Sequence, residues 1–267
     1  MRASTPRLRR AAVLGLAVVA SLLPAAGSAS GSTLGLVHGR PAKLLTGIGR
    51  ATTSSTNWSG YATYGNATSF TNVKGRWVQP AASCPTNKAQ YSSFWVGLDG
   101  YNSKSVEQIG TDADCVGTNR PSYYAWFEMY PAFPVNLSMK ITPGDTMAGS
   151  VSVSGSTFTL TIKDVTTGQS FTTKQTQSGL ALSSAEWVAE APSGCSAHSC
   201  KVLPLANFGK VKFTGSYTTG DGHTGSISDS AWSNDKIVMV TNGGGVKAQP
   251  SDLNSAGTAF NVTWMSN

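Results

Sequence analysis

In Thr157-Phe158-Thr159-Leu160-Thr161-Ile162-Lys163 every second residue is apolar, so Phe158, Leu160 and Ile162 share one face of an extended chain. Val151 and Val153 alternate with Ser in the same way, and no segment after residue 31 carries a sustained 3.6-residue repeat. This period excludes a helical protein. Further strands are expected at Val73 to Gln79, Ser92 to Leu98, Tyr123 to Tyr130, Ala185 to Glu190, Val211 to Thr214, Ile237 to Thr241 and Phe260 to Trp264. Turn strings such as Pro143-Gly144-Asp145 and Thr167-Gly168-Gln169 separate them. About a dozen strands of this kind predict an all-β fold, a two-sheet antiparallel β-sandwich of the concanavalin-like or jelly-roll type, built as one domain without internal repeats.

The net charge of +7 is not spread over the chain. Residues 1–30 hold Arg2, Arg7, Arg9 and Arg10 without an acid, residues 31–53 add Arg40, Lys43 and Arg50, and residues 54–267 balance 13 cations against 13 acids. The folded part therefore lacks the basic footprint of a nucleic-acid binder. The arginines precede an apolar run from Ala11 to Leu23, which Pro24 ends before the small residues Ala25 to Ala29. This reads as a secretory signal peptide, since the run is shorter than the ~20 residues of a membrane span. The expected organisation is a signal peptide over 1–30, a short basic pro-segment or linker over 31–53, and a β-sandwich over 54–267, secreted, monomeric and off the membrane once the signal is removed. Export favours disulfides, and of the three possible pairings Cys195 with Cys200 and Cys84 with Cys115 are expected.

The common catalytic strings are missing. The histidines are His38, His198 and His223, with His38 in the segment expected to be removed, and neither G-x-S-x-G nor H-E-x-x-H occurs. Cys195-Ser196-Ala197-His198-Ser199-Cys200 could offer zinc ligands, but a disulfide is the stronger reading. The string beginning at Asp112 fails as a calcium loop at Val116 and Tyr123. No P-loop is present, and neither a metal nor a cofactor is expected.

Five strings remain, in one order: Asn57-Trp58-Ser59-Gly60, Phe94-Trp95-Val96-Gly97-Leu98-Asp99-Gly100, Gln108-Ile109-Gly110-Thr111-Asp112, Tyr124-Ala125-Trp126-Phe127-Glu128-Met129-Tyr130-Pro131 and Ala185-Glu186-Trp187-Val188. Over roughly residues 56–267 the chain resembles the glutamic peptidases, or eqolisins. The resemblance implies a sandwich of two seven-stranded sheets, endopeptidase activity in acid on polypeptide substrates, and a catalytic Gln and Glu corresponding to Gln108 and Glu186. It also suggests that Trp58 and Trp95 line the substrate cleft, with Tyr124, Trp126 and Glu128 nearby, and that Asp99 and Asp112 hydrogen-bond behind the pair. The chain departs from the family pattern in one respect. Tyr101 to Ser105 and Gly179 to Ser184 hold no cysteine to tether the regions before the Gln and the Glu.

The chemistry of these residues fits independently. A carboxylate on a rigid strand can take a proton from water and return it to the leaving amine, while a carboxamide can hold the oxyanion at any pH. An ordinary Glu titrates near pH ~4.3, so such a base works where a His base would be protonated. Val188 and Glu190 share the face of Glu186, which leaves a solvated strand face as the bland reading. A carbohydrate-binding sandwich using exposed aromatic residues, or a glycosidase pairing Glu128 with Glu186, would be built from similar parts. The basic residues Arg40, Lys43 and Arg50 are expected to pair with cleft carboxylates at neutral pH and to let go in acid.

Overall fold

The computed structural model describes residue 1 and residues 35–39, 44–46, 52–65, 69–196 and 199–267. Residues 2–30 of the expected signal peptide, Arg40, Lys43, Arg50 and His198 lie outside the described residues. Two compact units are distinguished, Met1–Ser32 and Thr33–Asn267, and the second carries every strand described below.

Among the described residues there are twenty strands and no helix. In chain order they are β1 (Gly35–Val37), β2 (Leu44–Thr46), β3 (Thr52–Ser55), β4 (Trp58–Tyr64), β5 (Phe70–Val78), β6 (Ser93–Leu98), β7 (Val106–Cys115), β8 (Pro121–Tyr130), β9 (Val135–Leu137) and β10 (Thr146–Ser154). They continue with β11 (Thr157–Asp164), β12 (Ser170–Thr176), β13 (Ser184–Glu190), β14 (Ser193–Cys195), β15 (Cys200–Val202), β16 (Lys210–Gly220), β17 (His223–Ser226), β18 (Ser233–Val240), β19 (Val246–Pro250) and β20 (Phe260–Trp264).

A front layer runs β18-β4-β13-β6-β7-β8-β9 and a back layer runs β12-β11-β10-β5-β16-β20, all antiparallel. The β18-β19-β20 pairings join them along one edge, so the sandwich is closed there by hydrogen bonds. Among the strands the expected all-antiparallel pattern is broken by β3, which lies parallel to β18. Strand β3 spans the expected boundary between residues 53 and 54, so the chain is already part of the sheet on the amino-terminal side of that point.

The periodicity explains the packing. Val73 and Trp77 of β5, Val151 of β10, and Phe158, Leu160 and Ile162 of β11 are buried against Phe94, Val96, Leu98, Ile109 and Trp187 of the front layer. The other face of the front layer carries a second apolar group, Trp58, Ala62, Trp95, Val106, Trp126 and Val188, and polar residues between them. Because β7 lies between two covered faces, all ten of its residues are buried, including Glu107, Gln108, Asp112 and Asp114. The two expected disulfides, Cys84–Cys115 and Cys195–Cys200, are both formed.

Candidate active site

Register decides which side chains meet on the outer face of the front layer. In one row Ala62 lies opposite Glu186, then Gly97, Gln108 and Glu128. Two rows along, Trp58 lies opposite Glu190, then Ser93, Asp112 and Tyr124. The row between them runs Gly60, Val188, Trp95, Gly110 and Trp126. Side chains paired directly across an antiparallel sheet point the same way, so both carboxylates of β13 share the face of Gln108. Gly110 is required in the middle row. A Cβ there would come within 2.5 Å of the Phe94 carbonyl and 2.6 Å of the Trp95 side chain, so glycine lets the Trp95 and Trp126 rings close over the strand.

The indoles are polar anchors as well as walls. Trp95 donates from Nε1 to Glu190 at 2.8 Å, Asn57 donates from Nδ2 to the other oxygen of Glu190 at 3.2 Å, and Trp58 packs edge-on to Trp95 at 4.9 Å. Trp126 donates to Asp112 at 2.5 Å, and the Tyr124 hydroxyl lies 2.9 Å from Asp112 and 2.8 Å from Asp114, so the two carboxylates share its one proton. Gln108 donates from Nε2 to Glu128 at 3.3 Å, and its own carbonyl oxygen is buried without a partner among the described residues.

Into this face reaches the short extended piece around β1. Gly35 to Val37 pair antiparallel with Cys195 to Ser193, the stretch that follows Glu190 by a few residues. His38 is fully buried; its imidazole stacks on Trp126 at 3.6 Å with an interplanar angle of 3°, Nδ1 lies 3.2 Å from Glu128 and Nε2 lies 3.3 Å from Asp112. Its backbone N–H donates to Glu128 at 2.8 Å, and its carbonyl accepts from the Gln108 amide. Trp58 Nε1 donates to the Gly39 carbonyl at 2.9 Å. Burial works against a charged His38, but the charge of Asp112 and the hydrogen bonds to Asp112 and Glu128 outweigh it and push the imidazole up to about 10. Among the described residues the basic group against the cleft carboxylates is His38; Arg40, Lys43 and Arg50, expected to pair with them, lie outside the described residues.

Charge also distinguishes the two carboxylates of β13. Burial raises both well above the ordinary Glu value, but the other charges acting on Glu186 are Asp99 and Glu107, at one end of the face. Those acting on Glu190 are His38, which favours its anion, and Glu128 and Asp112, which oppose it. Glu190 thus belongs electrostatically to the group surrounding the Gln108 amide. Glu186 faces the same way in a row of its own with Gln108, with Gly97 between them.

A model of the peptidase A4 family matches residues 56–261. The chain belongs to the peptidase A4 family. It is 29% identical over 236 residues to aspergillopepsin-2 of Aspergillus niger, covering 79% of this chain and 78% of that protein. Among solved structures it is similar to scytalido-glutamic peptidase bound to a transition-state analog inhibitor, at 25% identity and a TM-score of 0.68, over 79% of this chain and 98% of that one. It is also similar to aspergilloglutamic peptidase from Aspergillus niger, at 30% identity and a TM-score of 0.56, over 66% of this chain and 99% of that one. The protein is thus a glutamic endopeptidase on an eqolisin β-sandwich, which sets aside the carbohydrate-binding and glycosidase readings.

In this peptidase Asp99 ties two loops together. Its carboxylate accepts from the backbone N–H groups of Leu182 and Ser183, each at 2.8 Å, and from the Ser183 hydroxyl at 3.1 Å, holding the loop that enters β13 against the end of β6. Hydrogen bonds to a charged acceptor contribute about 1.5 to 3 kcal/mol each but share one carboxylate here. We expect Asp99→Ala to lower stability by about 3 kcal/mol, read as a shift of the urea midpoint at unchanged slope.

Every expected cleft residue lies on this face or beside it: Trp58, Trp95, Gln108, Asp112, Tyr124, Trp126, Glu128 and Glu186, with Asp99 behind the loop. Sequence reasoning did not single out Glu190, Asn57 or His38 for chemistry. For Glu190 a signal existed, since the period of two already put it on the face of Glu186. For His38 none did, because its partners Asp112 and Glu128 are 74 and 90 residues away.

Proposed function

We propose that the peptidase is secreted, works as a monomer in acid, and hydrolyses polypeptides with Gln108 and a carboxylate of β13; Glu186 shares the row of Gln108, but the hydrogen bonds that Trp95 and Asn57 donate to Glu190 favour Glu190 as that carboxylate. The observation that carries the proposal is that the Gln108 amide holds the carbonyl of an extended peptide segment at His38, on the same face where Trp95 and Asn57 hold the Glu190 carboxylate.

The steps follow from what each group can donate and accept. Gln108 donates from Nε2 to the scissile carbonyl oxygen and strengthens that bond as negative charge develops there. Glu190, oriented by Trp95 and Asn57, takes a proton from the attacking water as the oxygen adds to the carbonyl carbon. The same carboxyl then returns the proton to the departing amine, and the C–N bond breaks. Burial raises the Glu190 carboxyl well above the ordinary Glu value and favours the protonated form, which suits the second step, while the charge of His38 and the Trp95 hydrogen bond act in the opposite sense and favour the anion that the first step needs. Glu128 and Asp112 hold the substrate backbone and side chain, as they hold His38.

The test is digestion of a denatured protein at about pH 4 by the wild type and by Gln108→Ala. Loss of one oxyanion donor predicts a kcat lower by a factor of about 10² to 10³ with a smaller change in KM. Undiminished turnover would remove Gln108 from the mechanism.

A further inference from the structure

The segment over residues 35–39 enters the cleft as an extended chain, and its contacts are distributed as a substrate's would be. Its first three residues add a strand to β14, which is a mode of peptide capture that uses only main-chain groups. The His38–Gly39 peptide unit and the units on either side of it are held by side chains of the site: the His38 N–H by Glu128, the His38 carbonyl by Gln108 and the Gly39 carbonyl by Trp58. The carbonyl on the Gln108 amide is the one that the proposed mechanism would polarise. Gly39 also has no side chain to meet the Tyr130 ring, which an added Cβ would approach to 3.3 Å.

The side chain of the residue bearing that carbonyl sits in a built pocket. The His38 ring is stacked flat on Trp126, with one nitrogen toward Asp112 and the other toward Glu128. Trp126 fixes the Asp112 carboxylate by donating to it, with the shared Tyr124 hydroxyl beside it, so the acceptor positions do not depend on the ring being there. Two carboxylates spaced across a planar cation over an indole face suit an imidazolium better than an aliphatic or acidic side chain.

We infer that His38–Gly39 is the peptidase's own cleavage site and that the pocket of Asp112, Trp126 and Glu128 selects histidine on the amino side of the scissile bond. The inference rests on the reading that Gln108 and a β13 carboxylate perform the hydrolysis. Water adds its oxygen to the His38 carbonyl carbon and gives one proton to the carboxylate. The carbon–nitrogen bond then breaks and the Gly39 nitrogen receives that proton. The products are a leader ending in the His38 carboxyl and a mature chain beginning with the Gly39 amine.

The full chain, purified near neutral pH and shifted to about pH 4, is followed by mass spectrometry. The expected result is a new amino terminus at Gly39, formed with a first-order rate that does not change over a roughly hundredfold range of protein concentration and that falls at least about hundredfold in Gln108→Ala. In parallel, a synthetic peptide with the sequence of residues 33–43 should be cut after its histidine. Its His→Ala version should show kcat/KM lower by at least about tenfold, a difference that Asp112→Asn should shrink. If the wild type digests added denatured protein but forms no terminus at Gly39 and treats both peptides alike, the inference is wrong and the peptidase mechanism stands. If the wild type digests neither itself nor added protein in acid, the mechanism and the inference fail together.

Discussion

The folded peptidase is expected to be most stable in acid and to lose stability as the pH rises from about 4.5 to 8, the reverse of ordinary acid denaturation. Glu107 is fully buried, and burial first, with the charge of Asp99 adding to it, pushes its carboxyl from an ordinary 4.5 up to about 8. Between those values the native state holds a proton that the unfolded chain releases. Its contribution is therefore complete below about pH 4.5 and is lost as the pH climbs through 8, about 5 kcal/mol in all. Burial displaces Asp114, Glu128, Glu186 and Glu190 in the same direction, so their contributions have the same sign. The raised His38 works likewise, present in full below an ordinary 6.5 and fading as the pH approaches about 10. Urea denaturation at pH 4 and pH 8 checks this, and equal or greater stability at pH 8 would contradict it.

The second large effect separates the two carboxylates of β13. Glu190→Gln is expected to lower kcat at about pH 4 by a factor of about 10³ to 10⁴, because it removes the group that moves the proton in both steps while keeping the side-chain shape and an acceptor oxygen for one of the two donors, Trp95 or Asn57. Glu186→Gln should cost activity much less, about tenfold or below, and should raise stability at neutral pH, where an ionised Glu186 is disfavoured by burial and by Asp99 and Glu107. Steady-state kinetics and urea midpoints on both variants supply the comparison. If Glu186→Gln were the inactive variant and Glu190→Gln the active one, the roles would be exchanged.

Much of the fold could be read in advance because the back layer is half-buried in the ordinary way. Strand β11, with Phe158, Leu160 and Ile162 inward and Thr between, states its own orientation. Strands β4 and β7 do not. Both of their faces are covered, and in β7 the covered outer side carries Gln108, Asp112 and Asp114, so the apolar alternation that identifies a strand is replaced by polar residues that the site uses. The ordering of the five strings pointed to the right family and to most of the cleft. The resemblance assigned the catalytic role to Glu186, and nothing local in the sequence separates that residue from Glu190, because the two share one strand face. What distinguishes them is their surroundings across neighbouring strands, Asp99 and Glu107 for one, His38, Glu128 and Asp112 for the other. The position of His38 was equally hidden, since the segment before residue 53 has the composition of a leader and its partners lie on β7 and β8.

The central claim is that a carboxamide and a buried carboxyl converge on one peptide bond. A crystal structure of Glu190→Gln, trimmed of residues up to His38 and bound to an uncleaved peptide, tests it most directly. The account predicts the scissile carbonyl oxygen about 3 Å from Gln108 Nε2, with the residue 190 side chain within reach of a water poised on the carbonyl carbon. A peptide bound with that carbonyl away from Gln108, or with residue 190 facing no water, would contradict it.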